Sequence, residues 1–127
     1  MKKVLSAILP SAAFVLASVL AVSSARAAND INLADLPKEG RATHTLILKG
    51  GPYPFPKDGV TFGNFEGNLP KKPRGYYHEF TVPTPGAKNR GARRIVCGAE
   101  AREWRNNAPA VCWYTGDHYQ TFQKIKE

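Results

Sequence analysis

The chain places a carboxylate in Tyr76-Tyr77-His78-Glu79, three arginines in Arg90-Gly91-Ala92-Arg93-Arg94 and a histidine in Gly116-Asp117-His118-Tyr119. A carboxylate takes up a proton, an imidazole returns one, and guanidinium groups hold an oxyanion as its charge builds. Together they equip a site for phosphodiester chemistry. Taken singly, each residue has a bland reading: Glu79 as a strand carboxylate paired with an arginine, His118 as a solvated loop histidine. It is their joint placement that points to chemistry.

Such residues need a rigid frame. From Gly75 onward the pattern is that of strands, over Tyr76–Val82, Arg93–Cys97, Cys112–Thr115 and Tyr119–Ile125, with turn signals at Pro83-Thr84-Pro85-Gly86 and Gly116-Asp117. The short connections imply antiparallel neighbours. Upstream, Leu36, Ala42, Leu46 and Ile47 fall partly at helical spacing, with Pro37 suited to a first turn and Gly50-Gly51 as a stop. Gly40, Thr43, Thr45 and Ile47 lower helix propensity, so packing on a sheet must hold this helix, with His44 on its surface. The expected fold is α+β: one short N-terminal helix packed on a small antiparallel β-sheet. Between helix and sheet, Gly50–Gly59 is a loop broken by prolines and glycines, Val60–Phe62 a short strand, and Gly63–Pro73 a loop suited to recognition. Gly98–Val111 reads as a polar excursion.

Strand alternation adds geometry. Tyr77, Glu79 and Thr81 share one face and Tyr76, His78, Phe80 and Val82 the other, so Glu79 and His78 cannot act on one substrate. His78 is left to pack or hydrogen-bond on the opposite face. If the next strand runs back to Arg90, then Arg90, Arg94 and Val96 share a face while Arg93 points away, which makes Arg90 and Arg94 the pair for phosphate.

At the N-terminus, Lys2 and Lys3 precede an apolar run from Val4 to Val22 that closes with Ala25-Arg26-Ala27, the pattern of a cleaved secretory signal over residues 1–27. A retained membrane anchor is the alternative; Pro10 and the diluting Ala and Ser residues favour cleavage. Residues 28–127 then form a single domain, released to the extracellular space. Removing Lys2, Lys3 and Arg26 and no acid lowers the formal charge from +8 to +5. That balance suits an acidic partner, and the mixing of Arg with Tyr, Phe and Trp suits nucleic acid, since bases stack while phosphates pair with cations. Trp104 and Trp113 themselves read as packing residues. Cys97 and Cys112 are the only cysteines, and export permits a disulfide worth about 3 kcal/mol for a loop of this length. A metal site is the competing reading, disfavoured because neither cysteine has a second Cys or His beside it.

From Leu36 to Ile125 the chain resembles the small secreted guanyl-specific ribonucleases of bacteria, the microbial family of Streptomyces and barnase-like enzymes. The resemblance is carried by Asp58-Gly59-Val60-Thr61-Phe62, Gly75–Val82, Thr84-Pro85-Gly86-Ala87 through Arg90–Ile95, and Tyr114–Tyr119. It implies Glu79 as general base, His118 as general acid, and Arg90 and Arg94 as ligands of the scissile phosphate. It also assigns Glu66 and the backbone of Phe62, Gly63 and Asn64 to guanine, with Tyr119 beside the nucleotide. The implied reaction is transesterification to a 2′,3′-cyclic phosphate followed by hydrolysis to a 3′-phosphate, without metal or other cofactor. DNA, lacking the 2′-hydroxyl, is not cut. Relatives carry a polar residue or an arginine where this chain has Gly63 and Phe65, and the Streptomyces relatives use their disulfide to tie the chain ends rather than Cys97 to Cys112. An RNA substrate, a monomeric state, no membrane contact after cleavage, and an acidic, barstar-like intracellular inhibitor complete the expectation. The rivals are a secreted RNA-binding protein without turnover, which has no need of Glu79 and His118, and a metal-dependent nuclease, for which Asp58, Glu66, Glu79 and Asp117 lie in dispersed motifs.

Overall fold

The computed structural model describes residues 29–127, and Pro37 and Gly50 bracket the longest helix among them; the expected signal segment 1–27 lies outside the described residues. The elements run β1 (Ile31–Asn32), a 3-10 turn (Leu33–Asp35), α1 (Lys38–Lys49), β2 (Tyr77–Thr81), β3 (Arg94–Gly98), α2 (Ala101–Arg105), β4 (Val111–Thr115) and β5 (Gln123–Lys126). Gly50 ends α1 in the left-handed conformation, φ 78°, a position that favours glycine. The sheet order is β1-β5-β4-β3-β2. Every neighbouring pair is antiparallel except β1 and β5, a parallel pairing that the sequence pattern did not reveal. The expected α+β architecture, a helix on a largely antiparallel sheet, is the observed one.

Helix α1 sits on one face of the sheet over Phe80, Val82, Ile95 and Cys97, with Leu36 and Ile47 as its apolar contacts. The buried positions of α1 are Gly40, Thr43, His44 and Ile47, whereas Ala42 is exposed. His44, expected on the surface, is 6% exposed and lies 3.8 Å from the Glu127 carboxylate. The reason is rotational register. Leu36, Gly40, Thr43 and Ile47 form one stripe at helical spacing, and His44 falls beside it. Thr43 seals the seat by donating its hydroxyl to the Thr81 carbonyl at 2.9 Å.

Cys97 and Cys112 form a disulfide and are directly paired across β3 and β4, inside the helix-side core. The segment between them is more ordered than a polar excursion. Glu100 and Glu103 build a reciprocal capping box that starts α2, and Trp104 of that helix donates its indole N–H to the Tyr76 carbonyl at 3.0 Å. Trp104 also packs on His78, ring centres 4.3 Å apart. His78 itself bonds the Gly59 and Gly75 carbonyls through its two ring nitrogens, on the face away from Glu79 as alternation requires.

Two expected strands shrink. Val60–Phe62 contributes a single bridge, Thr61 to His78, although the Gly59, Glu79 and Phe62 amides all bond across to the facing chain. The last strand begins at Gln123 rather than Tyr119, because Asp117–Phe122 is occupied by a turn with side-chain bonds of its own.

Candidate active site

The sheet face opposite α1 carries the polar residues of the same strands. Register places Glu79 beside Val96, and Thr81, Arg94 and Thr115 in one cross-strand row. Beneath them Leu69, Tyr77 and Val96 form a small second core, rimmed by Phe62, Trp113, Tyr119 and Phe122. Glu79 is 9% and Arg94 3% exposed, so both charges sit largely out of water. Buried charge persists only when paired and hydrogen-bonded.

Glu79 has a partner on each oxygen: the Arg90 guanidinium reaches Oε1 at 2.8 Å, and the Tyr119 hydroxyl donates to Oε2. The Arg90 Nε also donates to the Thr81 hydroxyl at 2.9 Å. Sequence reasoning reached Arg90 through a strand running back from Arg94, but β3 starts at Arg94 and Arg90 lies in the preceding loop. Gly91, at φ 67°, makes the turn that returns Arg90 to the site, and a Cβ there would stand 2.6 Å from the Thr84 hydroxyl. Arg93 points away as expected, donating to the Pro83 carbonyl and lying 3.9 Å from Glu39 of α1.

Arg94 is held from behind, its Nη1 bonding the Gly91 and Arg93 carbonyls at 3.0 and 2.8 Å. Its buried Nε has no hydrogen-bond partner among the described residues. The guanidinium also interacts with the Tyr119 hydroxyl, so a permanent positive charge lies next to Tyr119, as an oxyanion requires.

His118 and Tyr119 follow β4 with φ values of 55° and 73°, two consecutive left-handed residues without a glycine. Such backbone costs on the order of 1–3 kcal/mol per residue and persists only where the surroundings over-determine it. Here Asp117 does much of the holding. Its Oδ1 accepts from the Thr115 hydroxyl and the Thr121 amide, each at 2.9 Å, and its Oδ2 from the Thr121 hydroxyl at 2.6 Å. The Tyr119 amide donates to the Thr115 hydroxyl at 3.1 Å and the His118 amide to the Ala92 carbonyl at 2.9 Å, tying this turn to the arginine loop. Burial pushes the Asp117 carboxyl up, but the bonds from Thr121, Thr115 and Gln120 outweigh it and leave it below its ordinary value. Burial first, then the bond to Glu79 and its charge, raise the Tyr119 hydroxyl against the opposing pull of Arg94, so it stays a donor. The His118 ring is exposed, its centre 4.8 Å from that of Tyr119.

Beside these groups opens a cleft of about 320 Å³ lined by Phe62–Glu66, His118 and Tyr119. Asn64, at φ 52°, spends its side chain on its own loop: Nδ2 donates to the Leu69 carbonyl at 2.9 Å and Oδ1 accepts from the Leu69 amide at 3.1 Å. The Phe62 amide is engaged by the Tyr77 carbonyl at 2.8 Å, so Phe62 offers the cleft its ring, 4.8 Å from that of Tyr119. Glu66 is exposed on the rim. Phe65 is 92% exposed and its ring lies across Gly63, where a Cβ would stand 2.4 Å from it. Among the described residues no three His, Cys, Asp or Glu side chains group as metal ligands. The contact that sequence reasoning missed is Tyr119 on Glu79; the two are forty residues apart and only the fold brings them together.

A fold and site of this kind define a cyclising nuclease class, and comparison with known proteins agrees. The ribonuclease family model matches residues 20–126. The chain is 50% identical over 93 residues to guanyl-specific ribonuclease St of Saccharopolyspora erythraea, covering 73% of this chain and 83% of that one. It is 47% identical over 95 residues to guanyl-specific ribonuclease Sa of Kitasatospora aureofaciens, covering 75% and 91%. The structure of ribonuclease Sa2 in complexes with mononucleotides superposes with a TM-score of 0.68 at 45% identity, over 78% of this chain and 94% of that one. Ribonuclease Sa2 with guanosine-2′-cyclophosphate gives 0.66 at 46% identity, over 77% and 95%. This chain belongs to the ribonuclease family.

Proposed function

We propose that the chain is a guanyl-specific endoribonuclease, cleaving single-stranded RNA 3′ of guanosine through a 2′,3′-cyclic phosphate. The observation that carries this reading is Glu79, buried with Arg90 on one oxygen and Tyr119 on the other, Tyr119 in turn lining the cleft together with His118. Glu79 acts as the general base. Arg90 and Tyr119 occupy one position on each of its oxygens, and a carboxylate has further lone pairs to take the 2′-hydroxyl proton. The 2′-oxygen then attacks phosphorus while His118 protonates the departing 5′-oxygen. Arg90 and Arg94 stabilise the charge that gathers on the phosphorane oxygens. In the second step water enters where the nucleoside left, with His118 as base and Glu79 as acid.

Guanine enters the cleft with its N1–H and exocyclic amine toward Glu66, while the Gly63 and Asn64 amides meet O6 and N7. Phe62 and Tyr119 supply aromatic faces, and Phe65 replaces an arginine's charge with a third. Adenine leaves these groups unpaired, which is how a small site discriminates strongly. The same reading takes residues 1–27 as an export signal and residues 28–127 as a monomeric extracellular domain, free of membrane, with an acidic intracellular inhibitor protecting the producing cell.

The test is to incubate residues 28–127 with GpC, ApC and UpC in EDTA and follow products by mass. The expected result is metal-independent loss of GpC alone, with guanosine 2′,3′-cyclic phosphate appearing first and Glu79→Gln and His118→Ala both crippled. Cleavage of all three dinucleotides would discard the role of Glu66; no cleavage by folded protein would leave an RNA binder. An N-terminus at Ala28 in secreted material checks the signal boundary.

A further inference from the structure

We propose that the site face carries a second nucleotide subsite, for the residue 5′ to guanosine, in a groove running from the guanine cleft past Asn68, Trp113 and Phe122 to Lys124. It rests on the ribonuclease reading above and extends it. Two hollows of about 500 Å³ and about 550 Å³ meet at Asn68, Leu69 and Trp113, and the first shares Asn68 and Phe122 with the guanine cleft. Each lies within the roughly 300–1,000 Å³ range of small-molecule sites. Neither is lined by Glu79, Arg90, Arg94 or His118, so the groove leaves the cleft on the side away from the scissile phosphate. The phosphate to be cut is 3′ of guanosine. The strand leading away from the chemistry is therefore the 5′ one.

The chemistry along the groove suits a nucleotide. Trp113 and Phe122 are half-buried aromatics of the second core, each with surface left for a base to stack on. Lys124 is exposed, directly paired with Trp113 across β4 and β5, and in none of the ion pairs among the described residues. Asp30, the acid on the rim, is spent on Lys126 at 3.1 Å. Asn68 donates one bond to the Tyr119 carbonyl at 3.2 Å, which fixes its amide at the junction and leaves its oxygen to accept from a base edge. An aromatic platform, an oriented amide and an unopposed cation, continuous with the substrate cleft of a domain whose formal charge is +5 over residues 28–127, select a further unit of the same polyanion.

The experiment compares binding of 3′-GMP and ApGp by calorimetry in EDTA, alongside GpC turnover, for the wild type and Lys124→Ala. ApGp is expected to bind about tenfold tighter than 3′-GMP, the scale of one stacked base, with quenching of tryptophan emission. Lys124→Ala is expected to shrink that advantage several-fold while leaving 3′-GMP affinity and GpC turnover unchanged. Equal affinities, or an advantage untouched by Lys124→Ala, would overturn the subsite even with GpC cleaved normally. Tighter ApGp binding without GpC cleavage would keep the groove and sink the enzyme reading instead.

Discussion

Helix-side and site-side residues alternate along the same three strands, yet the two faces are built on opposite terms. On the helix side Val82, Ile95 and Cys97 are 0% exposed and covered by α1, an apolar layer with a disulfide through it. On the site side the buried residues include Glu79, Thr81, Arg94 and Thr115, and no element among the described residues lies over them. The lesson is that one strand serves two purposes one residue apart. Stability comes from the face that a second layer closes, and the other keeps paired charges half-dry and waiting for a substrate to complete the layer. Polar groups so placed are a liability to folding and an asset to catalysis.

The site face is most sensitive at Glu79. Glu79→Gln is expected to lower kcat on GpC by about 10²–10⁴-fold, the range for a general base, with the folded state intact by circular dichroism. Next come the two adjacent strand residues Ile95 and Val96, both 0% exposed. Ile95→Ala should cost about 2–5 kcal/mol in urea melts while leaving kcat/KM of the folded enzyme unchanged. Val96→Ala, beside Glu79, should cost about 2 kcal/mol and also depress kcat. Replacing Cys97 and Cys112 by alanine should remove about 3 kcal/mol, again with activity retained in the folded fraction.

Tyr119→Phe keeps the ring and deletes the donor to Glu79; about a tenfold loss in kcat is expected, with a smaller change in KM. The smallest effects are two pH dependences, one per face. Burial lowers the pKa of His44 against the opposing charge of Glu127. Its folded value lies under the ordinary 6.5, so stability is full above 6.5 and declines as pH falls through the folded value. Asp117, held below its ordinary 3.8, contributes stability that is full above 3.8 and is lost at lower pH. Thermal melts of His44→Gln and Asp117→Asn should flatten the first and second window respectively. Only Asp117→Asn should also lower kcat at neutral pH, since its carboxylate shapes the turn that carries His118 and Tyr119.

The chain order alone determined a good deal. Alternation put Tyr77, Glu79 and Thr81 on one face and Phe80 and Val82 on the other, because side chains of a strand point to opposite sides whatever surrounds it. Pro37 and Gly50 marked the ends of α1 through their own backbone preferences. The resemblance named the candidate residues. Other features depended on the angle or closure of elements distant in sequence. The rotation of α1 buried His44 and exposed Ala42, a choice made by the sheet it lands on. The turn at Gly91 brought Arg90 to Glu79 without the strand that alternation assumed. Tyr119 reached Glu79 because Asp117 and Thr115 bend the chain after β4 through two left-handed residues. Local preferences act within a few residues and are written in the sequence; the meeting of a carboxylate, two arginines and a tyrosine is a long-range packing outcome, set only when the sheet closes.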